Sequence, residues 1–586
     1  MFHRPELPWC YYDRDKKCIV LRLLTGPRVK AAFLVYADPF DTEKRADGRD
    51  LWHLTETPMT VQYTAAQEED CPPSEDVYWR IELPLPHRRR LMYRFRLETE
   101  TETLHFISSG TVKSLAHGEA GYFDHFFFPF VHEVDSPKLP AWVRDTVWYQ
   151  IFPERFNNGN PALSPEICAD WKKDLPEPHN FFGGDIPGIT KKLPYLKDLG
   201  INGIYLTPVF KAPSNHKYDT EDYFSIDEHF GTTADLKQLV HEAHALGIKV
   251  MLDAVFNHAG ERHPFWQDVL KNQAASPYRD YFHIHRFPVG NAKDRRDLGY
   301  DAFAFNAKMP KWNTENPEAR KYLIDAALYW IRESDIDAWR LDVANEVSFD
   351  FWREFCRAVH TEKDDFYILG EVWYDASRWI NRPGMFDGVM NYPLGFAVTE
   401  FLTDQKISAR QFTQKLFTVL ACYGDAYNRI MLNLLDSHDT PRILHRSGGD
   451  KRRMRNAFIL LFFLPGSPCV YYGTEAGMSG SEDPDCRRPM IWDESRRDAE
   501  QWDFFRTLIS LRRRFTEEVN ACTIRYEEAE GISVWRVGEK LTLVYTGGGT
   551  LLLAPLEKEH GALLLSTAKD GDNTLPAETV ALFALS

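Results

Sequence analysis

Arg340 and Asp342 stand two positions apart in Asp337-Ala-Trp-Arg-Leu-Asp-Val-Ala-Asn-Glu346, a stretch whose apolar residues suit a buried strand. Side chains alternate between the faces of a strand, so both charges project from one face. Burying a charge without a partner is costly, so such a pair is either a structural salt bridge or part of a site. Three other apolar runs close on polar groups in the same way. They are Asp253-Ala-Val-Phe-Asn-His258, Gly370-Glu371-Val-Trp373 and Asp436-Ser-His438-Asp439. Four ends of this kind together point to function.

Three carboxylates (Asp342, Glu371, Asp439), two imidazoles (His258, His438) and Arg340, with no metal-ligand pattern among them, suit glycoside cleavage. Cleavage with retention needs a carboxylate nucleophile and a protonated carboxylic acid about 5 Å apart. Arg340 is expected to keep Asp342 ionised, as a neighbouring cation does. Glu371, flanked by Val372 and Trp373, is expected to hold its proton and serve as the acid. Asp439 would repel charge on Glu371 and bind sugar hydroxyls. Phosphoryl transfer is disfavoured, because no Gly-rich cradle ending in Gly-Lys-Ser/Thr occurs.

The elements that must position these groups alternate strand and helix from about residue 140. Strands are expected at Val147–Phe152, Asn202–Thr207 and Ile248–Val255, with further strand ends near Asp342, Glu371, Asn391, Asp436 and Gly473. Leu236, Leu239, Val240, Ala243 and Leu246 have helical spacing, and Gly247 is their stop. Eight strands with helices between them make a (β/α)8 barrel, whose catalytic groups come from the C-terminal strand ends. The long gap between Asp253 and Asp342 implies an inserted domain after the third strand. Residues 1–125 read as all-β, a sandwich, with His87-Arg88-Arg89-Arg90 as a solvated turn. Residues 126–510 are the barrel, with the insertion at about 258–316, and 511–586 read as a second β-sandwich. There Thr546-Gly-Gly-Gly-Thr550 is expected to be a hairpin turn and Glu557–His560 a loop.

The chain has 586 residues, enough for about three domains, and its 81 aromatic residues (16 Trp, 26 Tyr, 39 Phe) exceed core needs and suit sugar stacking. A net charge of -16 argues against nucleic acid and anionic membrane surfaces. Nine scattered cysteines show no Cys-x-x-Cys pair, and are expected to be thiols in a reducing compartment. No run of signal-peptide or membrane-spanning length is present, so a cytoplasmic location is expected.

The four polar strand ends resemble the four signature regions of the α-amylase family, glycoside hydrolase family 13. Gln150-Ile-Phe-Pro-Glu-Arg-Phe156, His216-Lys-Tyr-Asp-Thr220 and Met309-Pro-Lys-Trp-Asn313 resemble its neopullulanase, cyclomaltodextrinase and maltogenic amylase subgroup. The resemblance implies an enzyme acting on α-glucan oligosaccharides, namely cyclodextrins, pullulan and short maltodextrins. It also implies a homodimer in which the N-terminal domain narrows a second subunit's cleft. By this resemblance Asp342 is the nucleophile, Glu371 the acid/base and Asp439 the transition-state stabiliser. His258 and His438 bind the sugar at the scissile ring, Arg340 partners the nucleophile, and Tyr218 stacks beneath that sugar. Phe303 and Trp373 would line the acceptor side, a core role remaining open for Phe303. The subgroup usually has Leu at Trp312 and His at Tyr374, departures that bear on acceptor preference. Asn158, Asn160, Ser164, Gly183 and Asp185 resemble a structural calcium loop, in which Leu163-Ser164 replaces an Asn-Asp pair of relatives. Alternatives are an exo-acting α-glucosidase or oligo-1,6-glucosidase, and a non-catalytic sugar-binding relative.

Overall fold

The computed structural model describes residues 1–44, 50–63, 77–113, 121–290, 294–382, 384–568 and 572–585. Its centre is a ring of eight strands. These are β1 (Trp148–Ile151), β2 (Gly203–Leu206), β3 (Lys249–Ala254), β4 (Ala338–Leu341), β5 (Tyr367–Gly370), β6 (Gly388–Val389), β7 (Leu432–Asn433) and β8 (Ser467–Tyr471). Hydrogen bonds join them in the order β6-β5-β4-β3-β2-β1-β8-β7. Every pairing is parallel, and a parallel bridge from Met390 to Leu432 closes the ring. The (β/α)8 barrel expected from the spacing is therefore present.

The period of two along each strand sorts the side chains into two environments. Trp148, Tyr205, Met251, Ala338, Tyr367, Leu369, Met390, Leu432 and Cys469 pack together as the apolar filling of the barrel. Ile204, Val250, Leu252, Trp339, Leu341, Ile368 and Val470 belong to the core shared with the surrounding helices. Two residues beyond Met251 stands Asp253, two beyond Ala338 stands Arg340, and two beyond Leu369 stands Glu371. Each interior row thus begins apolar and ends polar. The helix Thr233–Ala245 shows how the outer ring is set. Thr232 and Asp235 form its capping box, and Leu236, Leu239, Val240 and Ala243 are buried.

Between β3 and the helix Pro317–Ser334 the chain makes an excursion. It contains the helix Pro264–Asn272 and single bridges Phe282–Trp312, Ile284–Tyr300 and Ala302–Pro310. Trp312 sits inside this excursion, stacked on Phe282 (4.6 Å between centroids) and donating its N–H to the Tyr223 hydroxyl (3.1 Å).

The N-terminal strands form two antiparallel sheets around one core that includes Ile19, Leu21, Leu34, Trp79, Tyr93 and Phe95. Buried ion pairs tie them to the barrel. Asp425 meets both Arg22 and Arg80, and Arg429 donates to Asp13 (2.6 Å). The C-terminal region is a five-stranded antiparallel sheet, and Trp535, Leu543 and Leu582 continue the barrel's outer core. Two local expectations fail here. Glu557–His560 is not a loop but the end of a helix, Leu553–His560, whose Leu556 packs against the sheet's outer face. Thr546–Thr550 is not a hairpin turn, because Leu551–Leu552 pairs with Thr574–Leu575 in a separate ribbon. Burial of Leu556 and a distant strand partner decide both cases, and neither is visible in a short window.

Candidate active site

Asp342 and Glu371 each follow directly on the last residue of a strand, β4 and β5. The register pairs Asp253 with Arg340, which brings the two side chains together inside the barrel. Arg340 is fully buried. Its Nη1 donates to both oxygens of Asp253 (2.9 Å each) and to Asp342 Oδ1 (2.8 Å), and its Nη2 lies 2.7 Å from Glu371 Oε1. One guanidinium therefore carries three carboxyls, and the two that end β4 and β5 stand on its two terminal nitrogens.

Backbone and indole N–H groups hold Glu371, one on each oxygen. Val343 N–H donates to Oε2 (2.9 Å) and Trp373 Nε1–H to Oε1 (3.0 Å). To present its N–H this way Val343 adopts φ +46°, a region that a β-branched side chain rarely enters. Trp373 is itself pinned face to face on Tyr392 at 3.9 Å.

The electrostatics are more crowded than the sequence implies. Arg340 was expected to leave Asp342 simply ionised. Burial raises the Asp342 carboxyl well above the usual range; Arg340 opposes this, and Glu371 and Asp253 add to it. Asp253 is pushed up to about 6, chiefly by burial, against the pull of Arg340. One positive charge faces three buried carboxyls, an arrangement in which mutual repulsion favours a proton held among them. General acid catalysis requires such a proton.

Tyr205 and Tyr218 both donate their hydroxyls to Asp253 Oδ2 (2.7 and 3.0 Å). The Tyr218 hydroxyl also contacts His438 Nε2 (2.6 Å), whose Nδ1 accepts from the Gln150 amide (2.7 Å). His258 Nε2 faces the Tyr218 carbonyl (3.2 Å) and its Nδ1 faces the Asn257 amide (3.1 Å). Burial lowers His258 to about 3 and lowers His438 well below the usual range, so both rings are neutral. Both nitrogens of each ring are taken within the protein, so the neutral imidazoles position Tyr218 without competing for the acid proton.

A cleft of about 860 Å³ opens over this cluster, and Tyr218, His258, Phe303, Asp342, Glu371, Trp373 and Asp439 all line it. Phe303 stacks on His258 (5.0 Å) at the lip, 37 % exposed, so it is not a core residue. Trp312 is absent from the lining. Its departure from the subgroup pattern lies in the core of the excursion, outside the cleft lining. Among the wall residues not assigned a role from sequence are Arg487 and Lys311. Arg487, from the loop after β8, approaches Asp439 Oδ1 (3.3 Å) and pairs with Asp483 (3.0 Å). Lys311, from the excursion, donates to the Glu346 carbonyl (2.7 Å) and to Asn257. Neither follows a barrel strand directly; Lys311 lies within the Met309–Asn313 segment, and no local signal marks Arg487.

The calcium-like residues do meet in one loop. Asp185 caps the helix Ile186–Leu199, taking N–H bonds from Gly188 (2.6 Å), Gly159 (3.0 Å) and Asn160 (2.7 Å). Asn158 donates to Ser164 Oγ (2.8 Å), and Asn160 Oδ1 accepts from Ala162 N–H (3.3 Å). Gly183 has φ +80°, and a Cβ there would collide with Ser164 Oγ at 2.6 Å. Of the side-chain oxygens, Asn158 Oδ1 is the buried one without a hydrogen-bond partner. Calcium takes six to eight oxygens, and these side chains spend all but one of theirs on the loop's own hydrogen bonds.

Paired carboxyls at the C-terminal rim of a (β/α)8 barrel, beneath an aromatic-lipped cleft, define a glycoside hydrolase site. The family model for the α-amylase catalytic domain matches residues 150–531, and the model for the α-amylase N-terminal Ig-like domain matches 1–132. A cyclomaltodextrinase of Geobacillus thermopakistaniensis is 47% identical over 505 residues, covering 86% of this chain and 82% of its own. An intracellular maltogenic amylase of Bacillus subtilis is 46% identical over 512 residues, covering 87% and 83%. A solved cyclomaltodextrinase superposes with a TM-score of 0.84 at 38% identity, covering 99% of both chains. The chain belongs to the α-amylase family.

Proposed function

We propose that the chain hydrolyses α-1,4 and some α-1,6 glucosidic bonds of cyclodextrins, pullulan and short maltodextrins with retention, and also transfers glycosyl groups to sugar acceptors. The observation that carries this reading is the seating of Asp342 and Glu371 on the two ends of one buried guanidinium, at the floor of the cleft. Asp342 attacks the anomeric carbon while Glu371 protonates the leaving oxygen. The glycosyl-enzyme is then resolved by water or a second sugar, with Glu371 as base. Asp439, beside Arg487, binds the hydroxyls of the distorted ring. Tyr218, His258 and His438 hold that ring in place. The relatives named for cyclomaltodextrin and maltogenic activity support the substrate class. Asp342→Asn is expected to lower turnover by several orders of magnitude without unfolding the protein. Unchanged turnover in that variant would refute the nucleophile. Hydrolysis of β-cyclodextrin, a ring with no end, separates this reading from an exo-acting glucosidase.

We infer further that the protein works as a homodimer through its N-terminal domain. Phe40 and Phe123 are 69 % and 85 % exposed there, beside the exposed Tyr122 and Phe130, an aromatic surface suited to a partner. A reducing, intracellular setting is supported by the relative's name. No described helix is long and apolar enough to cross a membrane. The calcium-like loop is inferred to hold together through its own hydrogen bonds, without the ion.

A further inference from the structure

A second cavity, of about 800 Å³, lies on the far side of Trp373 from the catalytic carboxyls. Its walls are the loop after β5, the helices Tyr392–Leu402 and Ala409–Ala421, and Tyr78 of the N-terminal strand Val77–Pro84. Trp373 lines both this groove and the catalytic cleft, so the two adjoin at its indole. A stack of rings, with Tyr392 buried at its centre, backs the wall between them. Trp373 lies on Tyr392 at 3.9 Å, and Tyr392 meets Phe396 at 5.8 Å. Next to Trp373, Tyr374 is 52 % exposed, with one edge propped on Trp379 (6.1 Å). This is a position where the sequence departs from its subgroup. On the opposite wall Lys415 and Glu400 form an ion pair, offering a donor and acceptors within the same groove.

We propose that this groove binds the part of a linear α-glucan chain that extends beyond the cleft past Trp373, with Tyr374 as its added stacking platform. Exposed aromatic faces with a few polar groups suit pyranose rings, which present C–H faces and equatorial hydroxyls. The chain's net charge of -16 disfavours an anionic polymer in the same place. The inference rests on the α-glucan hydrolase reading and assigns that site a longer substrate than the cleft alone would hold.

Two variants test it from opposite directions. Tyr374→Ala removes the platform, and Thr418→Trp, at an exposed position on the groove wall, fills the space without removing a contact to the core. Kinetics are measured on linear amylose chains and on maltotriose, which is too short to reach both sites. Loss of one stacked ring corresponds to a KM for amylose raised about fivefold in each variant, with kcat and all maltotriose parameters unchanged. Unchanged amylose KM in both variants would overturn the groove while leaving the hydrolase reading intact. Equal losses on both substrates would show a merely structural effect and overturn it too. A wild-type protein that cleaves neither substrate would sink both.

Discussion

Replacing Arg340 by Gln takes away the cation that Asp253, Asp342 and Glu371 share. The site is closed to water at that depth, because Arg340 and Asp253 side chains are 0 % exposed. Removing one partner of a buried ion pair costs about 3–5 kcal/mol, and here protonation of the stranded carboxyls absorbs part of that cost. The functional consequence is larger than the structural one. Asp342 already sits above the usual carboxyl range because of burial and its acidic neighbours, with Arg340 pulling the other way. Without that pull its pKa rises further, so less of the nucleophile is ionised at a given pH. The expected fall in kcat/KM at pH 6 is about a hundredfold. The sign is fixed, because a weaker acid ionises only at higher pH, so the acid limb of the pH profile moves alkaline. The assay is kcat/KM on maltotriose from pH 4 to 9, with urea unfolding on the same samples. Arg340→Lys keeps the charge but loses the fork, and is expected to fall between the two. An acid limb at the wild-type pH in Arg340→Gln, with kcat/KM within threefold, would refute the shared-guanidinium account.

Three other outcomes follow from the packing. Asp337 is held down at about 2, because bonds from His244 and Lys249 and the charge of Lys363 outweigh its burial. A depressed carboxyl stabilises the fold fully above its unfolded pKa and loses that contribution as pH falls through the folded one. Asp337→Asn should therefore cost about 2–3 kcal/mol at pH 6 and much less at pH 2.5, read by urea unfolding; an equal cost at both would count against it. Phe123→Ser with Phe40→Ser should shift sedimentation at micromolar concentration from dimer to monomer, and a wild-type monomer would end the dimer proposal. Chelation by EDTA should leave Tm within about 1 °C, since the loop is satisfied by its own hydrogen bonds. A fall of several degrees that calcium reverses would restore the ion.

What could be read from the sequence was what strand periodicity expresses locally. Arg340 and Asp342 share a face because they are two apart, and Glu371, His438 and Asp439 close short apolar runs. The barrel followed from the number and spacing of such runs. What stayed hidden depends on contacts between distant segments. The indole of Trp373 and the strained amide of Val343 grip Glu371, yet neither role follows from residue type. Arg487 joins the wall from beyond β8, and Trp312 turns inward because Phe282 and Tyr223 receive it. Around Asp342 the sequence shows one charged neighbour, Arg340, where the fold supplies three, adding Glu371 and Asp253.

The most direct measurement is the site of covalent attachment. Glu371→Gln enzyme mixed with α-maltosyl fluoride needs no acid to expel fluoride but lacks the base to release the sugar, so the glycosyl-enzyme should accumulate. Mass spectrometry of the digest is expected to find one maltosyl group on the peptide bearing Asp342. Attachment to Asp253 or Asp439 instead, or release of an inverted product with no adduct, would contradict the assignment of Asp342 and Glu371.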